Sequence, residues 1–204
     1  MKKIMMIAAM MVATLSASAQ NEVGQVTLMP KAGINISTIT GSGSGSDKKS
    51  KVGLVAGAEF EYGVAENFDI SAGVLYSMEG AKFGDAKFNM DYINIPILAQ
   101  VYPVKGLAIK AGIQPAFNVR KKASYNGNTV NIDDVMNAVL DWTGTGIETG
   151  VKSFNFSIPV GISYEYQSFV LDARYNIGVT KLFKNADQGR NSTFAITLGY
   201  KFAL

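Results

Sequence analysis

Apolar and polar residues alternate with a period of two along most of this chain. The final segment shows the pattern most clearly, with Phe194, Ile196, Leu198, Tyr200 and Phe202 alternating with Thr193, Ala195, Thr197, Gly199 and Lys201. Successive residues of a β-strand point to opposite faces of the sheet. The alternation therefore predicts a strand with one apolar face and one face of small or polar residues.

The same alternation recurs in eight segments, each long enough for a tilted membrane strand. Their approximate ranges are 26–39, 52–62, 68–77, 90–103, 107–114, 153–165, 169–180 and 193–202. Short turns are expected near 65–67, 105–106 and 167–168, and long connections near 40–50, 81–90, 121–150 and 184–191. This arrangement predicts an all-β fold, an eight-stranded antiparallel up-and-down transmembrane barrel with short periplasmic turns and long extracellular loops.

A soluble β-sandwich, or a soluble periplasmic ligand-binding barrel, would also show alternation. Two features favour the membrane barrel. The polar face is rich in Gly, Ser and Ala, whereas a water-facing sheet would carry more Lys, Glu and Thr. The chain also ends in an amphipathic strand with Phe202 near its end, as expected of a strand read by the barrel-assembly machinery.

The N-terminus has the composition of an export signal. Lys2 and Lys3 precede an apolar run from Ile4 to Leu15, and small residues follow at 17–19. The run is shorter than the roughly 20 residues of a spanning helix, which favours a cleaved signal peptide over an anchor. We therefore expect residues 1–19 to be a signal peptide and 20–204 to form the outer-membrane β-barrel domain.

The composition limits the chemistry available. The chain contains no Cys and no His, so it has no thiolate ligand, no Cys nucleophile and no imidazole base. Loss of Lys2 and Lys3 lowers the formal net charge from +3 to +1, which argues against a nucleic-acid partner. We expect a protein without enzymatic activity, cofactor, catalytic residue or metal site.

Charged residues on the polar face are expected to point into the barrel. The predicted lumen charges are Lys31, Glu59, Glu61, Asp69, Glu79, Lys110, Arg120, Glu165, Asp172, Arg174 and Lys201. Eight strands leave an interior only wide enough to be filled by side chains, and isolated buried charges are costly. We therefore predict paired charges and a plugged lumen; the alternative is a narrow proton or ion path. Pro96, Pro115 and Pro159 fall within strands and are expected to mark bulges or missing ladder partners.

Two features outside the strands are candidates for interaction. Basic residues gather at the predicted extracellular side and form a possible lipopolysaccharide-facing rim of Lys48, Lys49, Lys51, Lys82, Lys87, Lys121, Lys122, Lys181, Lys184 and Arg190. In the third long loop, apolar residues at helical spacing predict a short helix near 131–142 that carries Ile132, Val135, Met136, Val139, Leu140 and Trp142. This helix would cover the barrel mouth, lie on the membrane or meet an unknown protein partner.

Several short stretches, taken in order, resemble a known family. They are Gly33–Ser37, Tyr76–Lys82, Asp91–Leu98, Ile158–Glu165, Asp172–Thr180 and Leu198–Phe202. Together they resemble the outer-membrane β-barrel domain family of Bacteroidetes that includes PorT-like proteins. The resemblance implies an outer-membrane location and a barrel of this size, without a defined reaction. The expected functions are a structural or interaction role through the extracellular loops, a narrow pore or transport component, or a secretion-system-associated role.

Overall fold

The alternating segments form strands in the computed structural model, which describes residues 22–40, 48–83, 86–125, 128–131, 153–180 and 190–204. The strands are β1 Val26–Thr40, β2 Lys48–Ala65, β3 Phe68–Phe83, β4 Ala86–Asn94, β5 Ile97–Val104, β6 Leu107–Tyr125, β7 Asn128–Asn131, β8 Phe154–Tyr166, β9 Phe169–Gly178, β10 Arg190–Tyr200 and β11 Phe202–Ala203. No helix among these residues has the length and hydropathy of a membrane span.

These strands form a closed, eight-stranded antiparallel barrel, as predicted. β4 and β5 follow one another along one barrel strand, because both pair with β3 on one side and β6 on the other. β11 continues β10 along β1, and β7 pairs with the outer end of β6. The pairing of β1 with β10 closes the sheet into a barrel.

The two faces of the barrel are reversed relative to a water-soluble protein. Apolar side chains point outward and remain exposed, as in Ile34 at 47%, Ile162 at 55% and Leu198 at 55%. The inward positions are mostly polar and buried. Near the short-turn end, Tyr200 contacts Phe169 edge to face at a ring-centroid distance of 5.1 Å, and it contacts Phe202 at 4.6 Å. An exposed apolar belt edged by aromatic rings is the surface that a bilayer covers.

The three short turns lie where the alternation predicts them. Each leaves two residues between strands, at 66–67, 105–106 and 167–168. Gly106 and Gln167 adopt positive φ values of 82° and 56°, which the commonest two-residue hairpin turns use. At Gly106 a Cβ would also lie 2.7 Å from the Glu165 carbonyl oxygen, so glycine is the residue that fits there.

Two of the predicted long connections lie partly or wholly within strands. The proposed connection at 81–90 is wrong, because β3 ends at Phe83 and β4 begins at Ala86. The connection predicted to start at residue 121 is also wrong at its beginning, because β6 continues to Tyr125 and pairs with β7. Beyond the lipid, strands no longer need an apolar outer face. The backbone ladder therefore continues where the alternation has stopped.

The prolines mark gaps in the ladder and not bulges. Pro96 separates β4 from β5, yet β3 keeps the same register on both sides of it. The carbonyl of Pro96 accepts a bond from Gly73 at 3.0 Å, and that of Pro115 accepts one from Ile95 at 2.9 Å. A bulge occurs elsewhere in this sheet, between β4 and β6, where Tyr92 pairs with Asn118 and Asp91 with Arg120.

Candidate functional site

Inside the barrel, eight charged side chains form one connected network, which we call the central cluster. Its members are Lys31, Glu59, Glu61, Lys110, Glu165, Asp172, Arg174 and Lys201. Each side chain in the network is at most 6% exposed. The strands bring these residues together because every second position of a strand points inward.

Arg174 is the centre of the first half of the cluster. Its Nη1 lies 2.9 Å from Glu59 Oε1, and its Nη2 lies 3.3 Å from Glu59 Oε2 and 3.1 Å from Asp172 Oδ2. Lys31 Nζ lies 3.2 Å from Glu59 Oε2 and 3.4 Å from Asp172 Oδ2. The guanidinium therefore holds Glu59 with two parallel bonds, the geometry that gives the strongest carboxylate pairing.

Lys110 joins this half of the cluster to the other. Its Nζ lies 3.2 Å from Asp172 Oδ2 and 3.8 Å from Glu61 Oε1. Lys201 Nζ then bridges Glu61 Oε2 at 2.7 Å and Glu165 Oε2 at 2.6 Å. The central cluster thus contains four cations and four carboxylates and carries no formal net charge.

Small residues and amides complete the packing around the charges. Gln100 Nε2 donates to Glu61 Oε1 at 3.0 Å. A Cβ on Gly73 would come within 2.5 Å of Glu59 Cγ, so this glycine makes the room that the glutamate side chain occupies. Asp69 is also buried in the lumen, beside Tyr102. The charges and their neighbours together occupy the part of the lumen nearer the short turns.

Closer to the extracellular end, a single glutamate is held by neutral groups. Glu79 Oε1 accepts bonds from Ser77 Oγ at 2.8 Å and Asn94 Nδ2 at 3.3 Å. Glu79 Oε2 accepts bonds from Asn191 Nδ2 and from Thr193 Oγ1, the latter at 3.2 Å. We call these four donors and the carboxylate the Glu79 cage. Lys51 Nζ donates to the backbone carbonyl of Glu79 at 2.8 Å, so this rim lysine lies beside the cage.

A small cavity lies between the central cluster and the Glu79 cage. Its volume is about 20 Å³, and Arg174, Asp172, Ser77, Asn94 and Thr193 are among the residues that line it. A space of this size suits one water molecule when polar groups surround it. At the same level, the apolar side chains of Val55, Leu75 and Ala195 pack together. This level of the lumen therefore has room for about one water molecule beside a small apolar contact.

Arg120 was predicted to face the lumen, and this prediction is wrong. Its side chain is 55% exposed on the outer face, where Nη1 lies 3.4 Å from Asp91 Oδ2. The cause is the bulge, because Val119 adds one residue to β6 and shifts the alternation beyond it. Tyr76 Oη donates to the same Asp91 oxygen at 2.7 Å. We call Tyr76, Asp91 and Arg120 the outer-face cluster.

The other ten predicted lumen charges lie inside the barrel, eight of them in the central cluster and the remaining two being Asp69 and Glu79. Of the predicted rim, Lys48, Lys49, Lys51, Lys82, Lys87, Lys121, Lys122 and Arg190 lie in the extracellular ends of strands. Lys181 and Lys184 lie outside the described residues, as do Ile132, Val135, Met136, Val139, Leu140 and Trp142 of the predicted helix. Asn131, where that helix was expected to begin, is the last residue of β7.

Sequence reasoning missed Asp91, Tyr76 and the amide donors of the lumen. Asp91 lies in Asp91-Tyr92-Ile93-Asn94, where the alternation of apolar and polar residues is unclear. It therefore does not show that the Asp91 carboxylate faces outward. Asn94, Gln100 and Asn191 occupy inward positions, so an inventory of uncharged polar residues on the inner face would have found them. Among the described residues, no group of three or more acidic side chains is placed to hold a metal ion.

Comparison with known proteins agrees with this architecture. The attachment invasion locus protein Ail of Yersinia pestis matches with a TM-score of 0.55 at 14% identity, over 89% of this chain and 100% of Ail. Neisserial surface protein A matches with a TM-score of 0.54 at 14% identity, over 87% of this chain and 97% of that protein. At these identities the likeness shows the fold alone. None of the curated protein sequences matches this chain.

A family model matches far more of the sequence than any single motif does. The model is described as an outer membrane protein beta-barrel domain, and it matches residues 18–184. That range contains β1 to β9 and therefore nearly the whole barrel. The chain belongs to the outer membrane protein beta-barrel domain family and is an eight-stranded barrel protein of the bacterial outer membrane.

Proposed function

We propose that this protein is a closed, non-enzymatic barrel that acts through its extracellular surface, in a structural or interaction role. The observation that carries this proposal is the central cluster. Its eight charges bridge strands from opposite sides of the barrel and are balanced in sign, so the interior is locked by ion pairs. An unpaired charge in the interior is costly, so the paired arrangement favours a closed lumen.

A solute-release assay tests the closed lumen. The purified protein is reconstituted into liposomes loaded with a small sugar, and sugar release is followed by light scattering. The closed barrel predicts the same release as protein-free liposomes. A known open porin serves as the positive control. Sugar release that scales with the amount of folded barrel would contradict the proposal.

A narrow pore or transport component is the second candidate, and one arrangement favours it. The water-sized cavity lies between the central cluster and Glu79, so polar groups continue through the lumen from one level to the next. Such a path would pass protons or small ions without passing sugars. A pH-sensitive dye trapped in the same liposomes separates the two candidates, because only the pore predicts faster proton entry than in protein-free liposomes.

The extracellular ends supply the proposed partners. The basic rim is suited to polyanions such as lipopolysaccharide, because its lysines gather at one end of a nearly neutral protein. One of the Ail structures contains the heparin analogue sucrose octasulfate, which is also a polyanion. The loop containing Val135 and Val139 is the proposed site for a protein partner. A photo-crosslinker at either residue should capture it, whereas one at Lys105 in a periplasmic turn should not.

Export and family placement complete the proposal. We propose that cleavage after Ala19 releases the domain 20–204, that the barrel-assembly machinery recognises its last strand, and that the protein is a PorT-like member from Bacteroidetes. The family match begins at residue 18, next to the proposed cleavage site. Intact mass of the protein recovered from outer membranes tests the cleavage. A mass that retains residues 1–19 would refute it.

A further inference from the structure

The outer-face cluster lies where the apolar surface of β6 ends. Phe117 and Val119 are 47% and 51% exposed on the outer wall. The next residue is the exposed Arg120, and Lys122, two residues further along the strand, is exposed as well. A change from apolar to cationic side chains on the outer face of a barrel marks the level of the lipid headgroups.

The neighbouring strands add positive charge at this level and just beyond it. Arg120 pairs with Asp91, which in turn pairs with Met78, so this row crosses β6, β4 and β3. Four residues further along β4, Lys87 is opposite Lys82 of β3, and Lys82 is opposite Lys49 of β2. In the backbone register, three lysine positions of neighbouring strands therefore lie side by side just beyond Arg120.

Among the described residues, Asp91 holds Arg120 through one guanidinium nitrogen. One guanidinium nitrogen contacts Asp91 Oδ2, and the side chain remains 55% exposed. A guanidinium has five N–H donors in a planar fork that suits phosphate oxygens. Tyr76 holds the carboxylate from the other side at 2.7 Å. The cluster therefore positions a cation toward the headgroup level of the surrounding lipid.

We propose that the outer face of β3, β4 and β6 binds the phosphate group of a phosphorylated glycolipid in the outer leaflet. Arg120 and Lys122 contact the phosphate, and Phe117 and Val119 face the acyl chains. This assignment deepens the proposed extracellular role, because it gives the basic rim one defined binding face. The partner is a lipid and not free phosphate, because the cations adjoin an apolar surface that only acyl chains cover.

Native mass spectrometry of the detergent-solubilised barrel with lipid A tests this site. We expect the unsubstituted protein to bind phosphorylated lipid A about tenfold more tightly than chemically dephosphorylated lipid A, since a charge-assisted contact of this kind corresponds to about that factor. The double variant Arg120→Gln/Lys122→Gln should lose this preference. Lys105→Gln, which removes an exposed lysine at the opposite end, should retain it.

Two further arms keep the result decisive. If the first variant does not fold, the single variant Lys122→Gln leaves the Arg120–Asp91 pair intact and should also lower the affinity for phosphorylated lipid A. Inorganic phosphate at millimolar concentration should not displace the lipid. Equal binding of both lipids, unchanged affinity in folded variants, or displacement by inorganic phosphate would overturn the site. A leaky barrel in the sugar-release assay would refute the closed lumen but would leave this lipid site standing.

Discussion

The bond between Arg174 and Glu59 provides the sharpest test of the energetics of the lumen. The perturbation is a double-mutant cycle of Arg174→Gln, Glu59→Gln and the two together. Arg174→Gln removes contacts of 2.9, 3.3 and 3.1 Å and leaves the cluster one positive charge short. Glu59→Gln leaves it one negative charge short. The double variant restores equal numbers of cations and carboxylates.

The expected magnitudes follow from burial. Both side chains are at most 4% exposed, so solvent does not compensate for a missing partner. Each single variant should lower the free energy of unfolding by about 3–5 kcal/mol. The double variant should cost about 2 kcal/mol less than the sum of the singles, because the two residues contact each other directly.

Unfolding is measured in lipid vesicles by urea titration, with the folded fraction read from the faster gel mobility of the unheated barrel. Lys105→Gln serves as the surface control and should change the free energy by less than about 0.5 kcal/mol. Additive single-variant effects, or single variants that cost no more than Lys105→Gln, would refute the assignment of a charge-locked lumen.

Three further predictions follow from the same structure. Glu79→Leu leaves the four neutral donors of the Glu79 cage without an acceptor and should lower the free energy of unfolding by about 1–3 kcal/mol or more. Glu79→Gln keeps one acceptor oxygen and should lower it less in the same urea titration. Gly73→Ala places a Cβ 2.5 Å from Glu59 Cγ and from the Ala58 carbonyl oxygen, so the folded fraction after refolding should fall. Gly24→Ala places a Cβ with nothing within 4 Å, although the φ of Gly24 is +85°, so it should lower the folded fraction less. The coupling energy between Arg174 and Glu59 should change by less than about 0.5 kcal/mol when ionic strength rises from about 0.1 to 1 M, because salt screens exposed pairs far more than buried ones.

The sequence was sufficient for the barrel because membrane strands obey one simple period. Phe194, Ile196 and Leu198 had to face lipid, and Lys201 and Glu165 then had to face the lumen. The three two-residue turns were also readable, because the alternation stops abruptly at each of them. Ten of the eleven charges predicted to face inward lie inside the barrel for the same reason.

The predictions from sequence were wrong where a bulge interrupts the period of two, and where strands extend beyond the lipid and no longer need an apolar outer face. At Val119 one extra residue turned Arg120 outward, and no local feature of that stretch announces a bulge. At Phe83 and Tyr125 the strands continue past the lipid, where polar residues are tolerated on both faces. Pairing partners within the lumen depend on the stagger of strands around the barrel. A contact such as Arg174 with Glu59, which are 115 residues apart, is therefore not contained in any one segment.

Single-barrel conductance in a planar bilayer tests the closed lumen most directly. The purified, heat-modifiable barrel is inserted at low density, and current is recorded across a range of voltages. The balanced central cluster predicts no stable open level above the baseline of the bilayer for the unsubstituted protein. A large and stable conductance step for each inserted barrel would contradict the account.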